Sequence, residues 1–263
     1  MSRLLEMIEK ADTIAVLGHV RPDGDCVGSC LAVCTYIREQ YPEKKVQVYL
    51  EKPPVKFSYL KHFEEISQSV DDAVCYDLCI CLDSADEERL GDFAVYRKEA
   101  KASIVLDHHV TNPGYADENQ IEDVSSTCEV LFGALECDKI SRDTAACIYT
   151  GIIHDTNVFK NSNTTSRTMQ VAGIMMDKGV DFPRIINDSF YRKTYVQNQI
   201  LGRAVLESVT LLDGMVIFAV VRRKDMDFYG VESSDLDGIV EQLRTTDGVE
   251  VAIFLYETDN HVF

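Results

Sequence analysis

The amino-acid sequence predicts an α/β fold in which a parallel sheet is covered by helices on both faces, followed by a smaller α+β domain. Through the first two thirds of the chain, short apolar runs alternate with segments of helical spacing, which is the pattern of βαβ units. Residues 74–82 contain a single charged residue, Asp77, as expected for a strand buried on both faces. Beyond residue 181, Asp213-Gly214 between two apolar runs predicts a β-hairpin.

In the first part of the chain, the predicted strands are apolar runs bounded by turn residues, at residues 13–17, 46–50, 74–82 and 103–106. The predicted helices follow the 3.6-residue period, at residues 2–11, 27–40, 87–100, 126–136, 142–154 and 165–178. Residues 55–63 are predicted as a short helix or an irregular segment. Ser141 is the expected N-cap of its helix, and Gly179 closes the last one.

After residue 181 the pattern changes. The expected elements are a helical connection, two strands, a helix and a strand, at residues 182–199, 206–212, 215–221, 236–243 and 249–256. We therefore predict a first domain at residues 1–185, a helical linker at 186–200 and a second domain at 201–263. The chain stops at His261-Val262-Phe263, directly after a strand, so we expect the second domain to be incomplete as given.

Charge and hydropathy exclude some classes of function. The net charge is −18 and the sequence pI is about 4.7, which argues against extensive binding to long nucleic acid, because such binding needs many Lys and Arg contacts to phosphate. A small anionic substrate held by metal ions stays compatible with this charge. No apolar run approaches the roughly 20 residues that span a bilayer, and residues 1–10 resemble an amphipathic helix more than a signal peptide.

The nine cysteines form neither an even set nor a C-x-x-C pair. Cys26, Cys30 and Cys34 follow helical spacing, and Cys79 and Cys81 share one face of a predicted strand. This pattern favours buried thiols in a reducing compartment over a disulfide framework or a zinc site. We therefore expect a cytoplasmic protein.

The segment from Gly18 to Asp25 follows the first predicted strand and precedes a helix, which is where open α/β sheets place their ligands. It holds His19, Asp23 and Asp25, and Gly24 between the two carboxylates allows a tight turn. Converging carboxylates resist joint ionisation unless a cation binds. From this segment alone, a metal site and a solvated turn with helix-capping aspartates are about equally supported.

Other acids and imidazoles follow later elements. Asp83 comes after the third strand, Asp107-His108-His109 after the fourth, and Asp155 ends a helix, where a carboxylate is electrostatically disfavoured. Each of these residues could instead be an ordinary turn, cap or loop residue. Because parallel strands end at one edge of the sheet, these three groups are expected to gather there beside the segment from Gly18 to Asp25, which favours a metal site.

The ordered set His19-x-x-x-Asp23-x-Asp25, Asp83, Asp107-His108-His109 and Asp155 resembles the four motifs of the DHH phosphoesterase superfamily over residues 1–180. The remaining segment resembles the start of the DHH-associated C-terminal (DHHA1) domain. Ser125-Ser126-Thr127 and the run from Asn163 to Thr168 resemble the branch of nanoRNases that also dephosphorylate 3′-phosphoadenosine 5′-phosphate (pAp). That branch carries a Gly-Gly-Gly-His segment, and no such segment occurs before Phe263.

The resemblance implies two metal ions, Mn²⁺ or alternatively Mg²⁺, which also suits a donor set of carboxylates and imidazoles without thiolates. One ion is expected on His19, Asp23 and Asp83, and the other on Asp25, Asp83, His108 and Asp155, with Asp83 bridging. His109 resembles a residue that contacts phosphate or donates a proton to the leaving group. Asp107 is expected to orient the loop or a ligand.

Substrate contacts are less well specified. Arg167 could meet a phosphate or a base, or lie on a helix surface, and the two are about equally supported. Ser126 could bind an anion at a helix N-terminus, although helix capping is simpler. Arg222 belongs to the densest basic cluster, Arg222-Arg223-Lys224, which could hold a distal phosphate, although such clusters are more often solvated strand ends.

The leading expectation is a metal-dependent phosphoesterase that degrades short single-stranded RNA to mononucleotides and removes the 3′-phosphate of pAp. Long duplex nucleic acid and membranes are not expected partners, and a homodimer is compatible with the sequence. The second domain is expected to close over the metal edge and limit substrate length. The alternatives are another DHH hydrolase (a cyclic-dinucleotide phosphodiesterase, an inorganic pyrophosphatase or a RecJ-like exonuclease) and a catalytically silent metal or nucleotide sensor.

Overall fold

The structure, a computed structural model, describes residues 1–71 and 74–258. The chain forms two compact units, Met1–Tyr191 and Arg192–Phe263, so the division falls inside the segment 186–200 that was expected to be a linker. His261-Val262-Phe263, at the expected truncation point, lie outside the described residues. No helix of the described residues combines the length and the apolar character needed to cross a bilayer.

The first unit contains a five-stranded sheet and its covering helices. The strands are β1 (Thr13–Leu17), β2 (Lys45–Tyr49), β3 (Leu78–Leu82), β4 (Ala102–Asp107) and β5 (Glu118–Ile121). The α-helices are α1 (Arg3–Lys10), α2 (Gly24–Gln40), α3 (Ala94–Glu99), α4 (Thr127–Ala134), α5 (Arg142–Asp155), α6 (Ser166–Asp177) and α7 (Phe182–Ile186). Shorter 3₁₀ turns occur at Val55–Phe57, Phe63–Glu65, Glu88–Phe93 and Cys137–Lys139, and a π-helix at Asn187–Tyr191.

All strand pairs in this sheet are parallel, and the spatial order is β2-β1-β3-β4-β5. The chain therefore leaves β1 toward one edge and returns to build β3 on the other side of β1. Ligands of open α/β sheets bind beyond the carboxyl ends of the strands where this reversal occurs. The ends of β1 and β3, followed by His19 and Asp83, lie at this point.

Apolar side chains cover the sheet on both faces, as expected for buried parallel strands. Ile14 and Val16 of β1 join the larger core under α1, α2, α4 and α5, whereas Ala15 and Leu17 join a second cluster with three tyrosines. That second cluster is closed by the 3₁₀ turn Glu88–Phe93 and α3. The two clusters bury the central strands on both faces, and the predicted fold class is confirmed.

Two glycines allow α2 and α5 to pack closely. A Cβ atom on Gly28 would lie 2.7 Å from the backbone oxygen of Cys147, and one on Gly151 would lie 2.4 Å from Oδ1 of Asp25. Both distances are too short for a side chain, so α2 and α5 meet backbone to backbone. This contact brings the carboxyl end of α5, with Asp155, close to the start of α2.

The second unit is a small mixed sheet with three helices. Its strands are β6 (Val209–Leu211), β7 (Val216–Val221) and β8 (Val251–Tyr256), and its helices are α8 (Tyr195–Leu206), α9 (Arg223–Tyr229) and α10 (Ile239–Arg244). β6 and β7 pair antiparallel across Asp213-Gly214, as the hairpin signal predicted, and β7 and β8 pair parallel. Ile200, Ile217 and Ile239 are among the residues of its core.

Some predicted element boundaries are wrong. The strand predicted at residues 74–82 begins at Leu78, because the Asp77 carboxylate accepts hydrogen bonds from Thr13 at the edge of the sheet. The helix predicted at 87–100 is divided into a 3₁₀ turn and α3, because Gly91 adopts a φ of 57°. The polar strand β5 was not predicted, since its sequence, Glu-Asn-Gln-Ile, lacks the apolar pattern of a buried strand.

Further differences fall between residues 182 and 244. The helix predicted at 182–199 is interrupted before α8, whose N-cap Thr194 accepts from the Gln197 amide in a capping box. α8 then continues to Leu206, which shortens the strand predicted at 206–212 to β6. The helix predicted at 236–243 is a 3₁₀ turn at Ser233–Leu236 followed by α10. Arg222 begins the unpredicted helix α9 instead of a solvated strand end.

Candidate metal centre

Histidines and aspartates from separate segments meet at the carboxyl edge of the sheet. The Nε2 atom of His19 lies 3.5 Å from Oδ2 of Asp83 and 3.7 Å from Oδ1 of Asp23. The Nε2 atom of His108 lies 3.6 Å from Oδ1 of Asp83 and 3.1 Å from Oδ2 of Asp155. Asp83 is therefore shared between the two imidazoles, one on each of its oxygens.

Both imidazoles present the same nitrogen to the carboxylates. Nδ1 of His19 donates to the backbone oxygen of Val20 at 2.8 Å, and Nδ1 of His108 faces that of Val124 at 3.4 Å. A carbonyl can only accept, so Nδ1 carries a proton in both rings, and Nε2 is the nitrogen that offers its lone pair in the neutral tautomer. This tautomer, fixed by a backbone carbonyl, is typical of metal-binding histidines.

Asp83 is held in an unusual backbone conformation. It follows β3 directly with a φ of 56°, in the left-handed region that residues other than glycine rarely adopt. Its side chain is buried, and its Oδ1 accepts a hydrogen bond from Oγ1 of Thr127 at 3.0 Å. Strained conformations of this kind concentrate at functional sites, where the surroundings hold them in place.

The carboxylate of Asp25 is completely buried and faces the N-terminus of α4. Its Oδ2 accepts from the Thr127 amide at 2.6 Å and its Oδ1 from the Cys128 amide at 3.0 Å. Asp23, two residues earlier, caps α2 by accepting from the amides of Asp25 and Cys26. Hydrogen bonds from backbone amides therefore fix the direction of both carboxylates, and the remaining lone pairs of the carboxylate oxygens are free for a cation.

Asp107 and His109 form a second, linked pair beside Asp83. Nδ1 of His109 donates to Oδ1 of Asp107 at 2.8 Å and lies 3.9 Å from Oδ1 of Asp83. Asp107 is fully buried, and its Oδ2 accepts from the side-chain amide of Asn112 at 2.7 Å. One oxygen of the Asp107 carboxylate therefore orients the half-exposed imidazole of His109, while Asn112 holds the other oxygen.

The pKa values reflect a concentration of negative charge. Burial, reinforced by the charges of Asp83 and Asp155, raises the pKa of Asp25 well above its usual range. Burial and nearby carboxylates likewise raise the pKa of Asp155. Burial opposes a charge on His108, but the hydrogen bond to Asp155 and the charges of Asp25 and Asp83 raise its pKa to about 10. For His109, the hydrogen bond to Asp107 is the main cause of a raised pKa.

The donor set fits divalent cations. In the described part of the chain, no Lys or Arg side chain pairs with Asp25, Asp83 or Asp155, so nothing but imidazole offsets their charge. Three groups of donors lie within 4.8 Å of one another: Asp25 with His108 and Asp155, Asp83 with His108 and His109, and His19 with Cys26 and Asp83. The last group adds a thiol that the expected ligand set did not include, because Cys26 lies beside His19.

Two of the expected substrate contacts belong to the first unit. Ser126 is buried, and its hydroxyl accepts from the Glu129 amide as the N-cap of α4, which is the simpler of the two expectations. Arg167, in the first turn of α6, faces Glu129 at 3.3 Å and Glu122 at 3.2 Å, with its side chain 46% exposed. The hydroxyl of Ser126 is therefore committed to the helix, whereas Arg167 is half exposed.

The remaining expected contact, Arg222, belongs to the second unit. It precedes α9 and lines a polar pocket with Arg203, Lys224 and Asp225. Arg203 is paired there with Asp225 at 3.1 Å. The pocket therefore combines cations with a carboxylate that already neutralises one of them.

Sequence reasoning missed two residues that shape the site, Cys26 and Asn112, and it missed the contacts by which Thr127 orients the carboxylates. The signal for Thr127 was present, since it opens a helix at the segment that was considered for anion binding or, more simply, for helix capping. Its partners are the carboxylates of Asp25 and Asp83. Asn112 carries no signal apart from its place five residues after Asp107.

Comparison with known proteins identifies the family of this chain. Residues 13–152, more than half of the chain, match the model of the DHH family, N-terminal domain. The bifunctional oligoribonuclease and PAP phosphatase NrnA of Bacillus subtilis is 26% identical over 267 residues, covering 99% of this chain and 83% of the relative. The protein of the same name from Thermus thermophilus is 26% identical over 266 residues, covering 99% and 78%.

Among solved structures, the chain is similar to an exopolyphosphatase-related protein from Bacteroides fragilis. The two superpose with a TM-score of 0.90 at 21% identity, covering 98% of this chain and 80% of that chain. At this level of identity the similarity establishes the fold, and it covers nearly all of both units.

Proposed function

This chain belongs to the DHH family and is a phosphate-ester hydrolase, and we propose that it degrades short oligoribonucleotides to mononucleotides and removes the 3′-phosphate of pAp. The observation that carries the proposal is the placement of Asp83 between two imidazoles, within a group of buried carboxylates. The names of the two relatives, which are 26% identical, support the choice of substrates.

We propose that His19, Asp23 and Asp83 would hold one Mn²⁺ ion, and that Asp25, Asp83, His108 and Asp155 would hold a second. Four carboxylates would then balance the charge of two divalent cations, which accounts for a cluster of carboxylates, two of them buried, that has no Lys or Arg partner in the described residues. Mg²⁺ is the alternative, since it takes the same oxygen ligands. When bound, such ions lower the pKa of water and stabilise charge on phosphate oxygens.

The chain itself would supply ligand orientation and a proton. The amides at the start of α4 hold Asp25, and the Thr127 hydroxyl holds Asp83, so both ligands keep their direction as the substrate enters. We propose that His109, oriented by Asp107, donates a proton from Nε2 to the leaving oxygen, because Nδ1 is committed to the carboxylate. Asn112 would keep Asp107 in place.

Substrate recognition is proposed for Arg167 and Arg222. Arg167 is half exposed, and the two carboxylates beside it would orient its guanidinium for a phosphate. Arg222 would bind a distal phosphate through the second unit. Ser126 would act indirectly, by fixing the start of α4. We further propose that residues 1–185 are the catalytic domain, that 186–200 connect it to the second domain, and that a homodimer can form.

A cytoplasmic location is also part of the proposal. All nine cysteines are free, and seven of them are buried. Free, buried thiols are the usual state in a reducing compartment.

Substrate length provides the test. We predict efficient cleavage of RNA of two to five nucleotides and release of phosphate from pAp, because the net charge of −18 repels the additional phosphates of a longer strand. The measurement compares initial rates for labelled RNAs of two to about 25 nucleotides, single- and double-stranded, at equal concentration with Mn²⁺; the size range is the one that the resemblance to the nanoRNase branch implies.

Three results would contradict this proposal in different ways. Rates that stay constant or rise with length would favour a RecJ-like exonuclease. Turnover of pyrophosphate or of a cyclic dinucleotide in place of RNA and pAp would favour another DHH hydrolase. Metal binding without turnover of any of these would favour a sensor.

A further inference from the structure

We propose that Cys26 is an additional metal ligand that thiophilic cations such as Zn²⁺ and Cd²⁺ bind together with His19 and Asp83, and that an ion bound in this way inhibits the enzyme. The inference rests on the proposed function only in so far as His19 and Asp83 are metal ligands.

The geometry places the sulfur of Cys26 within reach of a shared ion. Its Sγ atom, a ring nitrogen of His19 and a carboxylate oxygen of Asp83 all lie within 4.8 Å of one another. The three residues are buried, with exposures of 0%, 4% and 2%. A cation among them would therefore be shielded from solvent and surrounded by three different donor types.

Gly18 holds the sulfur in this position. A Cβ atom at residue 18 would lie 2.3 Å from the Sγ of Cys26, so the sulfur occupies the space that the missing side chain leaves at the end of β1. The same sulfur lies 3.9 Å from the backbone oxygen of His19. The cysteine is thus fixed beside the imidazole, where a small movement brings all three donors onto one ion.

Cation chemistry decides whether the sulfur is used. Mn²⁺ and Mg²⁺ prefer oxygen ligands, so they leave the thiol protonated, whereas Zn²⁺ accepts sulfur, nitrogen and oxygen in a tetrahedral arrangement. Oδ1 of Asp23, 3.7 Å from Nε2 of His19, can complete four ligands. Binding then exchanges the thiol proton, released to solvent, for the cation. A tetrahedral ion with four protein ligands keeps no open position for water, which is why inhibition follows.

The other buried cysteines do not share this placement. Among the described residues, Cys26 is the only cysteine in a group of three potential ligands. Cys34, two turns further along α2, packs in the hydrophobic core. Cys34→Ser therefore introduces the same chemical change on the same helix without affecting the metal group, and it serves as the matched control.

Spectroscopy of the Co²⁺-loaded protein tests the inference without an activity assay. We expect a near-ultraviolet sulfur-to-cobalt charge-transfer band in the wild type and in Cys34→Ser, and none in Cys26→Ser or Cys26→Ala. X-ray absorption of the Zn²⁺-loaded wild type should show a sulfur neighbour at about 2.3 Å, which keeps the test valid if the Cys26 variants fail to fold. The Zn²⁺ concentration that halves Mn²⁺-supported hydrolysis should rise in Cys26→Ser by at least the roughly 10–100-fold that loss of an outer-shell partner costs.

The possible failures are distinguishable. Bound Co²⁺ without the band, or a band that persists in both Cys26 variants, overturns the inference even if Mn²⁺ supports hydrolysis of short RNA. Zn²⁺ without a sulfur neighbour overturns it as well. If the band appears but no phosphate ester is hydrolysed with any metal, the ligand assignment stands and the proposed function fails.

Discussion

Replacing Asp83 by asparagine is expected to abolish high-affinity metal binding and hydrolysis together. Its two oxygens face His19 at 3.5 Å and His108 at 3.6 Å, so one carboxylate contributes to both proposed metal positions. An amide keeps the shape but removes the charge and one of the two lone-pair oxygens. The loss of activity should exceed the roughly 10–100-fold effect of removing an outer-shell partner.

Asparagine is the informative substitution because residue 83 has an unusual backbone conformation. Residue 83 has a φ of 56°, which asparagine tolerates and alanine adopts with strain, so Asp83→Asn separates loss of the ligand from loss of the fold. The exposed Asp92 provides the control, since Asp92→Asn makes the same chemical change at the surface. Metal content by mass spectrometry and initial rates on a trinucleotide are the measurements. An Asp83→Asn protein that retains two ions would show that Asp83 does not bridge.

Replacing His109 by alanine is expected to leave both metal ions bound and to reduce turnover by ~10²–10⁴, the usual contribution of general acid–base catalysis. His109 pairs with Asp107 at 2.8 Å and lies farther from Asp83, at 3.9 Å, than His19 and His108 do. Its main polar partner is thus a buried carboxylate that orients it, which suits a proton donor more than a ligand.

Metal content and turnover of the same preparation distinguish these possibilities. His62, which pairs with Glu65 away from the site, provides the control variant His62→Ala, whose turnover should match the wild type. If His109→Ala loses its metal as completely as Asp83→Asn does, then His109 is a ligand and the division between ligands and proton donor is wrong. The alternative that His109 is a metal ligand has a structural basis, because Asp83, His108 and His109 form one of the groups of potential ligands.

The sequence allowed good prediction of the sheet and of the residues that gather at its edge. β1 and β4 are short apolar runs. β1 ends two residues before His19, β4 ends at Asp107 of the Asp107-His108-His109 segment, and parallel strands necessarily end on one side. The strand β5 was missed because an edge strand can be polar, and pairing with β4, not side-chain pattern, defines it.

The side-chain contacts within the site were harder to predict. Cys26 follows Asp25 in sequence, and nothing in the helical spacing indicates that its sulfur faces His19 while the Asp25 carboxylate faces α4. Similarly, Arg167 had two equally supported interpretations, a contact with a phosphate or base and a helix-surface position, and neither indicated that it faces Glu122 and Glu129, which come from separate segments. Such contacts depend on how elements pack, which a single sequence does not specify.

Anomalous diffraction from crystals grown with Mn²⁺ tests the central claim most directly. The account predicts two anomalous peaks at the carboxyl edge of the sheet, both within bonding distance of Asp83, one also contacting His19 and the other His108. The same crystals without Mn²⁺ provide the reference. A single peak, or two peaks of which only one contacts Asp83, would contradict the shared metal centre on which the proposed chemistry depends.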